Sequence, residues 1–182
     1  MRNTIYYLCG HGGRINNGLG QELITRGFDV VGRETVDEFK KLDFKVQVEI
    51  IAEDLKANFW HEDARVIANS YGAYLFLHAQ AVMDAYIGKV FLLSPIVGEF
   101  SNEDIRIGFI PPFSKRLFEL AKSGMYPRLK HCEIHVGSED WQSNPQNVKA
   151  FAELLDISVS VVQGDGHSLS KQYVASQLDR WL

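Results

Sequence analysis

VIANSYGAYL, residues 66–75, sets an apolar run against a serine and a tyrosine boxed in by small side chains. Val66 to Ala68 has the composition of a strand buried on both faces, and Tyr71 to Met83 that of a helix. Ser70 falls where one turns into the other. Ala68 and Gly72 give it a small-x-Ser-x-Gly frame; they have to be small, because a strand turning sharply into a helix brings them against adjacent backbone. Two readings follow. Serine is a favoured helix cap, so Ser70 caps the helix. Alternatively, the turn lifts the hydroxyl clear of the sheet and leaves the Tyr71 amide at the helix start, where it meets a negative oxygen.

The pattern continues on either side. Ile5 to Cys9 is short, apolar and aromatic and ends in glycines, which predicts a first strand. Leu19 to Arg26 predicts a helix stopped by Gly27, and Phe28 to Val31 a second strand. Phe44, Val48, Ile51, Ala52, Leu55 and Phe59 share one stripe, which predicts a helix from Phe44 to Phe59 facing the core. Lys89 to Leu93 is a fourth strand, after the third at Val66 to Ala68. The segment from Ile96 to Tyr126 interrupts the alternation with Gly98, Gly108, Pro111 and Pro112, then offers a helix from Ser114 to Lys122. Cys132 to Val136, a helix from Pro145 to Leu155, Ile157 to Val162 and a last helix reaching Trp181 restore it. Strands alternating with helices predict an α/β three-layer sandwich around a parallel sheet, because right-handed crossovers place helices on both faces.

With 182 residues, 46% apolar and 12% aromatic, the chain can bury one good core, so a single domain over 1–182 is expected. Its 19 basic and 23 acidic residues give a net charge of -4 spread along the chain. That lacks the footprint of a nucleic-acid binder, and a small uncharged molecule or a protein is the expected partner. Cys9 and Cys132 both lie in apolar strand-like runs, which predicts buried free thiols rather than a disulfide. Met1 to Leu8 is too short an apolar run for a signal peptide, and no segment approaches the ~18 apolar residues of a membrane span. A cytoplasmic protein, free of membranes and monomeric or weakly self-associating, is expected.

In open parallel sheets ligands bind beyond the carboxyl ends of the strands. Ser70 follows the third strand, Asp140 the fifth and His167 the sixth, in the order serine, acid, histidine. A serine hydroxyl is a poor nucleophile until a base takes its proton, and the imidazole that does so needs a carboxylate to fix its tautomer and stabilise its charged form. Glu139, beside Asp140, is the alternative acid. After the first strand comes Gly10-His11-Gly12-Gly13, whose glycines permit close backbone approach and whose Gly12 or Gly13 amide offers a second oxyanion donor beside that of Tyr71. A phosphate cradle is the rival use of this loop. It lacks Gly-Lys-Ser/Thr, and Gly10-x-Gly12-x-x-Ile15 misses the third glycine of the dinucleotide fingerprint.

His11-Gly12 after the first strand, the Ser70 elbow, Gly137-x-x-Asp140 and Gly166-His167 together resemble the α/β-hydrolase superfamily across nearly the whole chain. Ala68 replaces the usual first glycine of the elbow, a sterically mild change. The resemblance implies a minimal six-stranded form of that fold with strand order 2-1-3-4-5-6. It implies Ser70 as nucleophile, His167 as general base and then acid, Asp140 as its orienting partner, and the Tyr71 amide with a Gly12 or Gly13 amide as oxyanion hole. The implied activity is cleavage of a carboxylic ester or thioester through an acyl-enzyme, with no cofactor and no metal. A peptidase or lyase on the same residues, or a binding or scaffold module whose site is vestigial, remains the alternative.

The segment 96–126 stands where this superfamily commonly inserts a cap. Phe100, Ile105, Ile107, Phe109, Ile110 and Phe113 give it apolar surface for an acyl pocket, or for ordinary packing of its helix. His11, Tyr71, Ile96 and Trp141 are further candidates for the pocket by position. His11 is expected to brace the oxyanion loop. His131 and His135, four apart but bracketing a strand, lack a third zinc ligand; His61 and His78 are expected at a helix end and on a helix surface.

Overall fold

The computed structural model describes residues 3–104 and 106–182; Met1, Arg2 and Ile105 lie outside them. The elements in chain order are β1 (Thr4–Leu8), α1 (Gly18–Thr25), β2 (Asp29–Arg33), α2 (Asp37–Lys41), α3 (Phe44–Asn58), β3 (Arg65–Asn69) and α4 (Tyr71–Gln80). There follow β4 (Lys89–Leu93), β5 (Phe100–Asn102), β6 (Ile107–Phe109), α5 (Arg116–Lys122), β7 (Cys132–Gly137), α6 (Pro145–Leu155), β8 (Ser158–Val162) and α7 (Lys171–Trp181).

Six strands form one parallel sheet in the order β2-β1-β3-β4-β7-β8. Among the sheet strands alone this is 2-1-3-4-5-6, the order expected. The reversal falls between β1 and β3, where chains leave in opposite directions and open a crevice at the carboxyl edge. Alternate side chains of each central strand go to opposite faces. Ile5, Tyr7, Cys9, Ile67, Phe91 and Leu93 meet Leu23 of α1 and Leu178 and Trp181 of α7. Tyr6, Leu8, Val66, Ala68, Val90 and Leu92 meet α3, α4, α5 and α6 on the other side. Burial on both faces is why these strands read as unbroken apolar runs, whereas β2 and β8, at the edges, are only half-buried.

β5 and β6 pair antiparallel as a small hairpin apart from the main sheet, and they and α2 have no counterpart in the sequence reading. Their strands are only three residues each, too short for a period of two to register.

His78 corrects another expectation. It is buried, because α4 is enclosed on every side, with each residue from Gly72 to Gln80 buried. The ring stands edge-on to Tyr74 and Phe44, with centroids 4.5 and 5.0 Å away. His135 is likewise buried within β7, where Nδ1 lies 2.7 Å from the Tyr173 hydroxyl. Burial, with Arg116 adding to it, lowers the His78 pKa to about 3; burial outweighs the nearby Glu133 and lowers that of His135 to about 4. The unfolded chain takes up these protons below the ordinary pKa of ~6.5 and the folded chain does not, so folding stability falls as the pH drops from there toward 4. At pH 5 each ring accounts for about 2 kcal/mol. The urea midpoint is expected to drop between pH 7.5 and pH 5, and His78→Phe to flatten part of the drop. A midpoint indifferent to pH, or an equal slope in the variant, would contradict this.

Candidate active site

The chain leaves β3 at Asn69 and enters α4 at Tyr71, so one residue makes the whole turn. Ser70 does so with φ 52° and ψ -120°, a conformation that costs a non-glycine residue on the order of 1–3 kcal/mol. Its side chain makes no capping bond. Of the two roles open to this serine, the cap is therefore excluded and the presented hydroxyl stands. The turn is held by the Ser70 amide, which donates to the Leu93 carbonyl at the end of β4 (2.9 Å). Gly72 must be glycine for a steric reason, since a Cβ there would lie 2.3 Å from the Leu8 carbonyl oxygen and 2.4 Å from that of Cys9.

Three chain-distant side chains meet here. Ser70 Oγ is 2.8 Å from His167 Nε2, and His167 Nδ1 is 3.0 Å from each oxygen of Asp140. Asp140 is 1% exposed, and its Oδ1 also accepts the amides of Gln142 (2.9 Å) and Ser143 (2.8 Å). A buried carboxylate needs hydrogen-bond donors, and here they come from its own loop. Glu139 points to solvent; its amide donates to the Asp165 carbonyl.

The glycine loop departs from expectation. The Gly12 amide donates to the Thr35 carbonyl (3.2 Å), and the Gly13 amide to the Gly10 carbonyl (2.9 Å) and Thr35 Oγ1 (3.2 Å). Both are spent inside the protein, so neither is a second oxyanion donor. The His11 amide, among the described residues, has no acceptor. Gly10 sets its position: a Cβ there would come 3.3 Å from that of Ser70, and its amide donates to Asn69 Oδ1 (2.9 Å). The same Asn69 oxygen accepts the Tyr7 hydroxyl (2.9 Å), so one side chain ties elbow, loop and β1 together.

A cavity of about 860 Å³ opens beside Ser70 and His167. His11 lines it, as anticipated; Ile96, Phe109 and Trp141 do not. Ile96 turns into the core on the α4 side of the sheet. Trp141 stands edge-on to Phe100, centroids 5.6 Å apart, and Phe109 leans on Phe100 from the other side while remaining 41% exposed. The other described residues of segment 96–126 are equally absent from the lining: Phe113 packs on Phe44 (5.9 Å), and Tyr74 ties the segment down by donating to the Pro112 carbonyl (2.6 Å). Ile105, the remaining member of the anticipated acyl pocket, lies outside the described residues.

Other residues at the site carry no sequence signal. Asn69 occupies the unspecified position of the elbow frame, and Thr35 comes from the end of β2. Ser143 donates to the Ser94 carbonyl (2.6 Å), pinning the Asp140 loop to the end of β4. Ser94 has φ 43°, lines the cavity and is buried, its hydroxyl without a partner among the described residues. Cys9, just after β1, is no rival nucleophile: burial, reinforced by the charge of Glu34, pushes its thiol up to about 12. His131 is exposed ahead of β7, and among the described residues no group of three His, Cys, Asp or Glu side chains is placed to hold a metal ion. No helix among them is long and apolar enough to cross a membrane.

No family model and no curated protein sequence matches this chain. Solved structures do. The ydeN gene product of Bacillus subtilis superposes with a TM-score of 0.67 at 16% identity, over 98% of each chain. A carboxylesterase of the thaumarchaeon Nitrososphaera gargenis gives 0.64 at 13% identity, over 97% of this chain and 89% of its own. A single-residue variant of SOBER1 from Arabidopsis thaliana gives 0.58 at 16%, over 97% and 98%. The chain has the α/β-hydrolase fold.

Proposed function

We propose that this protein is a serine hydrolase that cleaves a carboxylic ester or thioester through an acyl-enzyme at Ser70. The observation that carries the proposal is the unbroken relay Ser70 Oγ, His167 Nε2, His167 Nδ1 and Asp140, at 2.8 and 3.0 Å, ending on a serine held in a costly conformation. Strain of that kind persists where the surrounding structure enforces it, and it clusters at active sites. The carboxylesterase among the structural neighbours supports the choice of an ester.

In this mechanism His167 takes the Ser70 proton as Oγ attacks the acyl carbon. The resulting oxyanion is received by the Tyr71 and His11 amides, the first of them strengthened by its place at the amino end of α4. The bond from the acyl carbon to the leaving oxygen or sulfur breaks, and His167 passes its proton to that atom. Water then attacks the acyl-Ser70 carbonyl, giving up its proton to His167, which returns it to Oγ as the acid departs. Asp140 stabilises the imidazolium in both halves.

A fluorophosphonate reporter tests the proposal directly, because it reacts with an activated serine and ignores an ordinary one. Stoichiometric tagging at Ser70 is expected. Protein that stays untagged would overturn the reading and leave a binding module of the same fold.

A further inference from the structure

We infer that the acyl chain of the substrate lies in the groove between the first turns of α1 and α7, on the face of the sheet opposite segment 96–126. The inference rests on the hydrolase reading above. The cavity beside Ser70 runs in that direction: its walls are Leu19 of α1, Leu93 at the end of β4, Leu169 ahead of α7, and Val174 and Ala175 within it. Both helices start at the carboxyl edge of the sheet, so their first turns flank the reacting atoms.

One turn further on, Arg26 ties the helices together: its guanidinium pairs with Glu22 of α1 (2.8 Å) and with Asp179 of α7, and donates to the Ala175 carbonyl (3.3 Å). Glu22, which lines the cavity with Lys171 and Gln172, thus has its charge matched by Arg26, while Leu19, Leu93, Leu169, Val174 and Ala175 supply the apolar lining. A mainly apolar groove between two clasped helices suits the acyl group rather than the alcohol or thiol. The leaving group must escape while the acyl chain is still bonded to Ser70, so the acyl chain is the part that the groove has to hold. At about 860 Å³ the cavity falls within the ~300–1,000 Å³ of small-molecule sites, far more than an acetyl group fills. The substrate class is therefore an ester or thioester of an unbranched aliphatic acid of medium length.

The test is the ratio of kcat/KM for p-nitrophenyl octanoate to that for the acetate, with octanoate binding measured calorimetrically alongside. In the unaltered protein kcat/KM is expected to climb by about fourfold per methylene until the chain meets the Arg26 clasp. Val174→Trp, which fills the groove, is expected to lower the ratio by at least about tenfold and to weaken octanoate binding likewise. Arg26→Ala, which opens the far end, is expected to move the optimum to longer esters such as the laurate; it decides the matter if the tryptophan variant does not fold. Phe109→Ala, on the opposite side, is expected to leave the ratio unchanged. A ratio indifferent to Val174→Trp and Arg26→Ala, or one that responds to Phe109→Ala instead, would overturn the placement. Should no ester be turned over, the hydrolase reading has failed, and octanoate binding alone decides: retained in the unaltered protein and lost in Val174→Trp it supports the groove, and absent from the unaltered protein it overturns it.

Discussion

Ser70→Ala is expected to lower turnover of p-nitrophenyl acetate by about 10⁵-fold, with little change in folding stability. The two halves of that expectation have separate causes. Without the hydroxyl, His167 has no proton to take and the acyl group no atom to which it can transfer, so the relay through Asp140 idles. Members of such a relay act as a unit, and removing the nucleophile costs nearly as much as removing all three, leaving only what the oxyanion amides and the cavity contribute. Stability is spared because the hydroxyl caps nothing: the α4 amino terminus receives no bond from it, and alanine fits the same backbone as poorly as serine does. A true cap replaced by alanine would cost about 1 kcal/mol. Urea unfolding and esterase assays on one preparation therefore separate the alternatives. Full activity with a loss of stability would return Ser70 to the role of a helix cap.

How far the residues alone announce this arrangement depends on whether the feature is local. β1, β3, β4 and β7 are legible because strands covered on both faces must be apolar throughout, and α3 because one face of it is solvated and its stripe has a period. α4 hides its environment for the opposite reason: with every side covered it has no polar face to contrast with the buried one, and His78 reads as a surface residue. Ser70, Asp140 and His167 are legible since each lies in the turn or loop after a strand of a sheet whose order can be inferred. Which amide of the glycine loop is free is not, for it is decided by Thr35, some twenty residues away at the end of a neighbouring strand, whose backbone and hydroxyl consume Gly12 and Gly13. The cavity is beyond reach on the same ground. It lies between α1 and α7, at opposite ends of the chain, and the apolar residues in segment 96–126 draw attention to the wrong face.

Asp140→Asn is expected to cost about 10⁴-fold in kcat/KM while leaving the fold of its loop in place. Asparagine keeps an oxygen at the Oδ1 position, so the Gln142 and Ser143 amides, at 2.9 and 2.8 Å, retain their acceptor. The other atom becomes an NH₂ group. It faces His167 Nδ1 from 3.0 Å and can only donate, while Oδ1, also 3.0 Å from Nδ1, already accepts two amides; the balance favours the imidazole tautomer carrying its proton on Nε2. That proton then points at Ser70 Oγ across 2.8 Å, where a free lone pair is required, and the base is blocked by geometry rather than by distance. The imidazolium of the transition state also loses the charge that offsets it. Imidazole nitrogen shifts in the NMR spectrum report the tautomer independently of turnover, and the switch is expected to appear in the resting variant. Glu139→Gln is the companion measurement: that side chain is exposed, and its loss is expected to change kcat/KM by less than about twofold. A loss under about tenfold for Asp140→Asn, or a deeper loss for Glu139→Gln, would move the acid away from Asp140 and break the relay on which the mechanism depends.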